Sequence, residues 1–440
     1  MEAPRPRSVS YLRGLWSIGK KNPLPMLLQL LRAEGDLIRL PAGPYLYLLA
    51  QHPDHAEHVL QANYQNYRKS FNYRALRIVM GDGLLTLEGD AWKRQRRLSQ
   101  PAFHRPTLLH VVEEMARCAR DLCERWEKLP DGTVLDVAEE MTRLTLRIAG
   151  RTLFSVEVEG DASGFAGAVT LASRFVVDRT RSIIRLPVQV PTPGNLRVRR
   201  ALGVLDRVVY RIIEDRRRSA NGEQDLLSLL MHAKDADTGE AMSDLQLRDE
   251  VLTFLSAGHE TTANALTWTL YLLSAHPAER RRLEAEVQTA GGDLQKLPFT
   301  KSVIEESLRL YPPAWFIERQ ANEEDRLGDY RVARNAVVGL CPFTLHRDPR
   351  FWDDPEGFDP DRFSPAASAG RPRFAYLPFG AGPRTCIGAQ FALWELQTVL
   401  ATLCARFRLD LVPGHPIELD PLVTLRSKHG MKMAIHKRTS

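Results

Sequence analysis

Between Asp90 and Pro277 apolar residues recur at the helical period almost without a break, and this constrains the fold more than any other feature of the chain. The spacing predicts helices over about 106–128, 134–154, 196–218 and 243–275, with Pro187, Pro191 and Pro193 ending one helix and starting the next. Outside this helical body the pattern changes. Residues 36–40 and 45–49, separated by Pro41-Ala-Gly-Pro44, read as a short hairpin, and the chain turns helical from His52. A helix from Pro298 to Leu310 stops at Pro312-Pro313, 326–345 alternates like a small sheet, and 388–407 resumes as a helix. The stretch 348–382, dense in Pro, Asp, Phe and Gly, is too long for an ordinary connection and implies function or a packed loop of its own. The expectation is a mainly α chain with a small β region, an α+β fold.

The 440 residues are 44% hydrophobic and 26% charged, the composition of a soluble globular protein. No linker-like run divides 1–440, so a single large domain is expected, big enough to enclose a cofactor. Net charge is +6 with the signs mixed, and Lys93-Arg94-Gln95-Arg96-Arg97 and Arg216-Arg217-Arg218 are local basic runs, the second reading as a solvated helix face. No nucleic-acid module or aromatic-interleaved basic stripe is present, which argues against DNA or RNA as a partner. The first twenty residues lack an apolar core, and 24–31 is too short and too interrupted to cross a bilayer. A soluble, cytoplasmic protein without a transmembrane anchor is expected, which still leaves room for peripheral membrane contact. The five cysteines (Cys118, Cys123, Cys341, Cys386, Cys404) are odd in number and irregular in spacing, which points to a reducing compartment rather than a disulfide framework. For Cys118 and Cys123 packing is the default reading.

Cys386 stands apart. The segment Phe379-Gly-Ala-Gly-Pro-Arg-Thr-Cys-Ile-Gly388 places it after a tight loop and at the start of a helix. There the helix dipole and free N–H groups favour a thiolate. Gly382 and Gly388 permit close backbone approach, Phe379 can shield the sulfur, and Arg384 can pair with an anionic group. A lone cysteine in a Gly-rich turn is more often structural, but five specified positions at fixed offsets reject that reading here. A second cluster, Ala257-Gly258-His259-Glu260-Thr261-Thr262, lies inside an apolar helical stretch. A mid-helix glycine costs about 1 kcal/mol relative to alanine and asks for a reason, which a small-residue groove beside a flat ligand supplies. Ala257 and Thr261 share a face, and an acid beside an alcohol can relay protons, although alone they would read as a solvated Glu and a capping Thr. A zinc reading of His259-Glu260 fails because position 263 is alanine.

The Cys386 segment resembles the haem-binding signature Phe-x-x-Gly-x-Arg-x-Cys-x-Gly of the cytochrome P-450 family at every specified position, and the Ala257–Thr262 segment resembles that family's oxygen-binding helix. The resemblance runs from about Leu37 to Lys428, with its signatures in the family's order. It implies a haem-thiolate monooxygenase of the cytochrome P-450 fold, with haem b (iron protoporphyrin IX) between a long central helix and the helix following the cysteine loop. Cys386 would ligate the iron, since a thiolate donates electron density that favours O–O cleavage. Glu260 and Thr261 would deliver protons, with Ala257, Phe379, Gly382 and Gly388 against the ring. Trp92, Arg96, Arg319 and Arg384 would meet its propionates. Glu306 and Arg309, three apart on one helix face, would join Arg362 in a buried ion-pair network holding the thiolate loop. His104 is expected to pack or bond locally.

The resemblance also implies pocket walls at Phe71, Leu85, Phe254, Ala314, Trp315, Phe316 and Thr424, a largely apolar set that suits a large apolar substrate. Residues 71–76, 83–86 and 308–315 look like the corresponding stretches of bacterial carotenoid ring hydroxylases, so hydroxylation of a carotenoid β-ionone ring is the leading expectation. Fatty-acid hydroxylation, peroxide-driven peroxygenation and a haem-based sensor are the alternatives. The chain ends too early for a fused reductase, so electrons from NAD(P)H are expected through a ferredoxin or flavodoxin with its reductase, docking near Lys93, Arg94 and Arg97 on a monomer.

Overall fold

The computed structural model describes residues 7–8, 22–33, 35–42, 45–158, 162–182, 185–218, 225–234 and 239–438. Its principal helices are α1 (Leu24–Ala33), α2 (Tyr73–Met80), α3 (Gly89–Ser99), α4 (Arg105–Glu127), α5 (Val137–Phe154) and α6 (Ala162–Arg181). They continue as α7 (Pro193–Arg218), α8 (Leu226–His232), α9 (Asp244–Ala275), α10 (Pro277–Ala290), α11 (Pro298–Leu310) and α12 (Ala389–Arg406). The strands are β1 (Arg7–Ser8), β2 (Leu37–Ala42), β3 (Tyr45–Ala50), β4 (Tyr67–Lys69), β5 (Thr133–Asp136), β6 (Ile317–Ala321) and β7 (Asp325–Leu327). After them come β8 (Tyr330–Val332), β9 (Val337–Leu340), β10 (Phe407–Leu411), β11 (Leu419–Pro421), β12 (Leu425–Ser427) and β13 (Lys432–Lys437). The expected mainly α architecture with small sheets is what the chain adopts. None of the described helices is long and apolar enough to cross a membrane.

Contacts divide the chain into two compact units, each assembled from distant segments. The first comprises Met1–Tyr73, Glu305–Cys386 and Leu419–Arg426; the second comprises Arg74–Ile304, Ile387–Glu418 and Ser427–Ser440.

The first unit is built on a six-stranded sheet of order β1-β2-β3-β9-β6-β4. The expected hairpin is present, with β2 and β3 antiparallel and Leu37 opposite Ala50. Alternation of side chains across the strands divides the core into two faces. Leu37, Leu48 and Val338 fall in one cluster, whereas Ile38 and Leu49 join Leu24, Leu27 and Leu30 of α1 in the other. The 348–382 stretch is a packed loop of its own, built on rings. Phe363 and Tyr376 lie 4.9 Å apart, Trp352 is 6.0 Å from Tyr376, and the Arg371 guanidinium stacks 4.1 Å from Trp352.

The second unit is organised by α9, whose start is fixed by a capping box between Ser243 and Gln246. It runs along α5, where Thr145 Oγ1 donates to His259 O at 2.9 Å. A Cβ added to Gly258 would point at Ala149, 3.7 Å away. At that ordinary contact distance an added methyl would be tolerated, so the packing against α5 does not itself demand a glycine at 258. Helix α12 packs on α4, where Cys123 Sγ reaches Thr402 O at 3.8 Å. Two expectations fail locally. Residues 134–136 are a strand, because β5 pairs with β13, and the helix begins only at Val137, after Asp136 caps it. Arg216 is not on a solvated face. It is 9% exposed and holds Asp225, the cap of α8, at 2.5 Å, while donating to Phe154 O at 2.7 Å.

Candidate active site

In the first unit the cysteine loop is held by its own backbone. Cys386 N donates to Phe379 O at 2.9 Å, Thr385 N to Gly382 O at 3.0 Å, and Gly380 N to Leu377 O at 3.2 Å. Gly382 has φ +66, and a Cβ there would lie 1.8 Å from Leu60 O. Its small size is demanded by that carbonyl, so the approach it permits is chain against chain. The loop delivers Cys386 to an exposed position one turn before α12, whereas the other four cysteines are buried. Burial pushes the thiols of Cys118, Cys123 and Cys404 up to about 12 and that of Cys341 up to about 11. Those four remain protonated packing groups; Cys386 is the one exposed cysteine.

Glu306, Arg309 and Arg362 lie together in one cluster of ion pairs. Arg309 Nε and Nη2 meet the two oxygens of Glu306 at 2.6 and 2.7 Å, and both side chains are fully buried. Arg362 Nε lies 3.4 Å from Glu306 Oε1, and Nη2 donates to Asp354 O at 2.9 Å. Glu306 also accepts from Asp359 N at 2.9 Å.

Sequence reasoning missed the residue that ties this network to the cysteine loop. His346, fully buried, donates from Nδ1 to Arg309 O at 3.2 Å and accepts at Nε2 from Leu377 N at 2.8 Å. These partners fix the tautomer. Burial, reinforced by the Arg309 charge, lowers its pKa to about 3. The only signal in sequence was a histidine ending an otherwise apolar run. An unfolded histidine titrates near 6.5, so between about pH 6.5 and 3 the unfolded chain binds more protons, and stability falls as pH drops through that window. Replacing His346 by glutamine should remove this slope: between pH 7 and pH 5 the variant's unfolding free energy in urea should fall by about 2 kcal/mol less than the wild type's. An identical pH dependence in both would refute the assignment.

The expected pocket residues of the first unit gather around the Pro313–Glu318 stretch. Trp315 Nε1 donates to Leu422 O at 2.9 Å, Leu425 N donates to Pro313 O at 3.0 Å, and the Trp315 and Phe316 rings are 5.4 Å apart. Phe316 seats in the space left by Gly339, where a Cβ would lie 2.6 Å from its ring. Phe71 is flanked by Ser70 and Asn72, which donate to the Glu318 carboxylate at 2.6 and 3.1 Å, and Tyr47 donates to the same group. Ala314 is exposed and Thr424 buried. Arg319 is also buried, with Nη1 on Glu318 O at 2.8 Å, and Arg384 is half-buried.

In the second unit, residues 247–256 of α9 are all buried and burial stops abruptly at Ala257, which is exposed. Glu260, Thr261 and Asn264 are half-buried, so 257, 261 and 264 form a strip along one helix face. Thr261 Oγ1 donates to Ala257 O at 2.7 Å. Trp92, Arg96, Lys93, Arg97, Gln100 and His104 line a concavity of about 320 Å³. Exposed His104 therefore faces that hollow, and the expectation of local packing is corrected. Phe254, expected in a pocket wall, is buried with its ring stacked 5.5 Å from Phe103, which in turn meets Phe391. Gly388 caps α12 with open space but for Phe103 at 3.7 Å. Leu85 is 38% exposed.

Each unit taken by itself offers features that suit a haem: in the first an exposed cysteine on a braced loop, and in the second a helix face where burial ceases at an alanine and arginines beside a tryptophan. Comparison with known proteins agrees. The Cytochrome P450 family model matches residues 4–432. The chain is 36% identical to cyclooctat-9-en-7-ol 5-monooxygenase of Streptomyces melanosporofaciens, over 92% of this chain and 88% of that protein. It is 32% identical to pentalenene oxygenase of Streptomyces avermitilis, over 99% and 97% of the two chains. It is also 32% identical to Protein LUTEIN DEFICIENT 5, chloroplastic, of Arabidopsis thaliana, over 94% of this chain and 74% of that protein. The chain belongs to the cytochrome P450 family and is a monooxygenase.

Proposed function

We propose that this cytochrome P450 binds haem through Cys386 and hydroxylates a carotenoid β-ionone ring with oxygen from O2. The observation that carries the haem assignment is the exposed Cys386 on a loop tied through Leu377 and His346 to the Arg309 network. The substrate reading rests on apolar candidates such as Trp315 and Phe316, and on relatives. Two of those relatives are named for cyclic compounds, and the third for lutein, itself a hydroxylated carotenoid.

Bound haem supplies the activation of dioxygen, using two electrons and two protons so that one oxygen atom enters the substrate and the other leaves as water. The protein's part is placement and proton supply. Trp92 and Arg96 offer an indole N–H and a guanidinium to propionates, and Arg319 and Arg384 add two further cations. Ala257 leaves room on α9, where a larger side chain would cover the strip. The Thr261 hydroxyl, now on Ala257 O, can turn to donate toward the open side, and neighbouring Glu260 can return the proton. The apolar walls exclude water and orient the substrate by shape.

Electrons would come from NAD(P)H through a ferredoxin or flavodoxin that docks at the basic face of α3. Lys93 and Arg97 there are exposed and Arg94 half-buried. Reversing these three charges should slow reduction by about ten-fold or more at low salt and abolish its salt dependence. Unchanged reduction kinetics would refute the docking site. The substrate reading is tested by titrating the haem protein with β-carotene and with lauric acid while following the iron spin state. Turnover is then run with a surrogate reductase and ferredoxin. Hydroxylated β-carotene supports the reading, and turnover of the fatty acid alone overturns it in favour of fatty-acid hydroxylation.

A further inference from the structure

Helix α9 carries three consecutive charged residues, Arg248, Asp249 and Glu250, that are only 8%, 3% and 0% exposed. Burying charge is costly unless each group is paired, so the run requires an explanation. Asp249 Oδ2 accepts from Asp82 N at 2.7 Å, and its Oδ1 from Arg248 Nη1 at 2.8 Å. Glu250 Oε2 accepts from Leu84 N at 3.1 Å. Arg248 continues to α7 through Nε to Asp206 Oδ1 at 2.8 Å. Two neighbouring carboxylates on one helix thus take two alternate backbone N–H groups of one loop.

The loop is shaped for this seat. A Cβ on Gly81, at φ +68, would lie 2.2 Å from the Asp249 carboxylate, and one on Gly83 would lie 2.2 Å from Thr253 Oγ1 and 2.7 Å from Asp249 O. Thr86 Oγ1 donates to Gly81 O at 2.6 Å and closes the loop on itself. Asp249, Thr253, Ala257 and Thr261 succeed one another at four-residue steps of about 6 Å along one stripe of α9. The loop occupies the first two positions, and burial ends at the third. Leu85, next to the anchored Leu84, remains 38% exposed.

We infer that Asp249 and Glu250 are positioning residues that clamp loop 81–86 onto α9, and that the clamp sets the size of ligand admitted over the Ala257–Thr261 strip. The inference rests on the proposed haem site for its second half and on geometry alone for its first.

The test uses the full-length haem protein and the variants Glu250→Ala, Glu250→Gln and Gly83→Ala. The last displaces the loop without touching a charge, so it remains informative if Glu250→Ala fails to fold. Amide exchange at 82–87 should speed by about ten-fold or more in Glu250→Ala and Gly83→Ala, with Glu250→Gln restoring most protection. Imidazole and 4-phenylimidazole then probe the site through the haem spectrum. The bulky azole's Kd should change about five-fold or more while imidazole's stays within about two-fold. Unchanged exchange, or both azoles shifting in equal proportion, overturns the inference. If neither azole perturbs the wild-type spectrum, the haem assignment and the size-gating role fall together, and the exchange data still decide the clamp.

Discussion

Replacing Arg309 by lysine should lower the free energy of unfolding by about 2–5 kcal/mol, because the charge is kept but buried acceptors of the guanidinium are stranded at about 1–3 kcal/mol each. Each N–H of this guanidinium has an acceptor: Nε and Nη2 reach Glu306 at 2.6 and 2.7 Å, Nη2 also reaches Gly357 O at 2.8 Å, and Nη1 donates to His346 O and Pro355 O at 2.9 and 2.7 Å. Lysine offers a point charge with three donors and no planar fork, so two acceptors at least would be stranded in a fully buried site. Its ammonium would also lose the stacking of Arg309 on Trp352, 5.1 Å away. Urea unfolding followed by tryptophan fluorescence checks the loss. A variant within about 1 kcal/mol of wild type would show that the network contributes little.

Replacing Cys386 by alanine should abolish hydroxylation, a loss of at least about a thousand-fold, because no other thiol can take over. The four remaining cysteines are buried, with thiols held protonated by desolvation. The ferrous carbon-monoxide complex should lose the red-shifted band of thiolate ligation, while the urea midpoint moves little because the residue is exposed and its loop is closed by main-chain bonds. Retention of that band in the alanine variant would overturn the ligand assignment.

Helix positions were legible because proline, caps and the 3.6-residue period act locally: Pro298 to Leu310 and the capped start of α9 needed no tertiary information. The ion-pair triad and the cysteine motif were legible as patterns. What escaped depends on partners far along the chain. Residues 134–136 become a strand only because β13 lies beside them. Gly382 reads as a small residue near a flat ligand, yet its size is set by the Leu60 carbonyl. His346 and the Asp249–Glu250 clamp carry no local signature, since their meaning lies in which main-chain groups reach them.

The central strand of the sheet β10-β13-β5 has a consequence for biosynthesis. Met431 N donates to Asp136 Oδ1 across 295 positions, and β13 fills the gap between two strands that have no other neighbour in that sheet. During translation β5 emerges early and must wait, unpaired, until residues 432–437 have left the ribosome. Nascent chains stalled before residue 430 should therefore lean on chaperones, and emergence of β13 should be the step at which this sheet becomes protease-resistant.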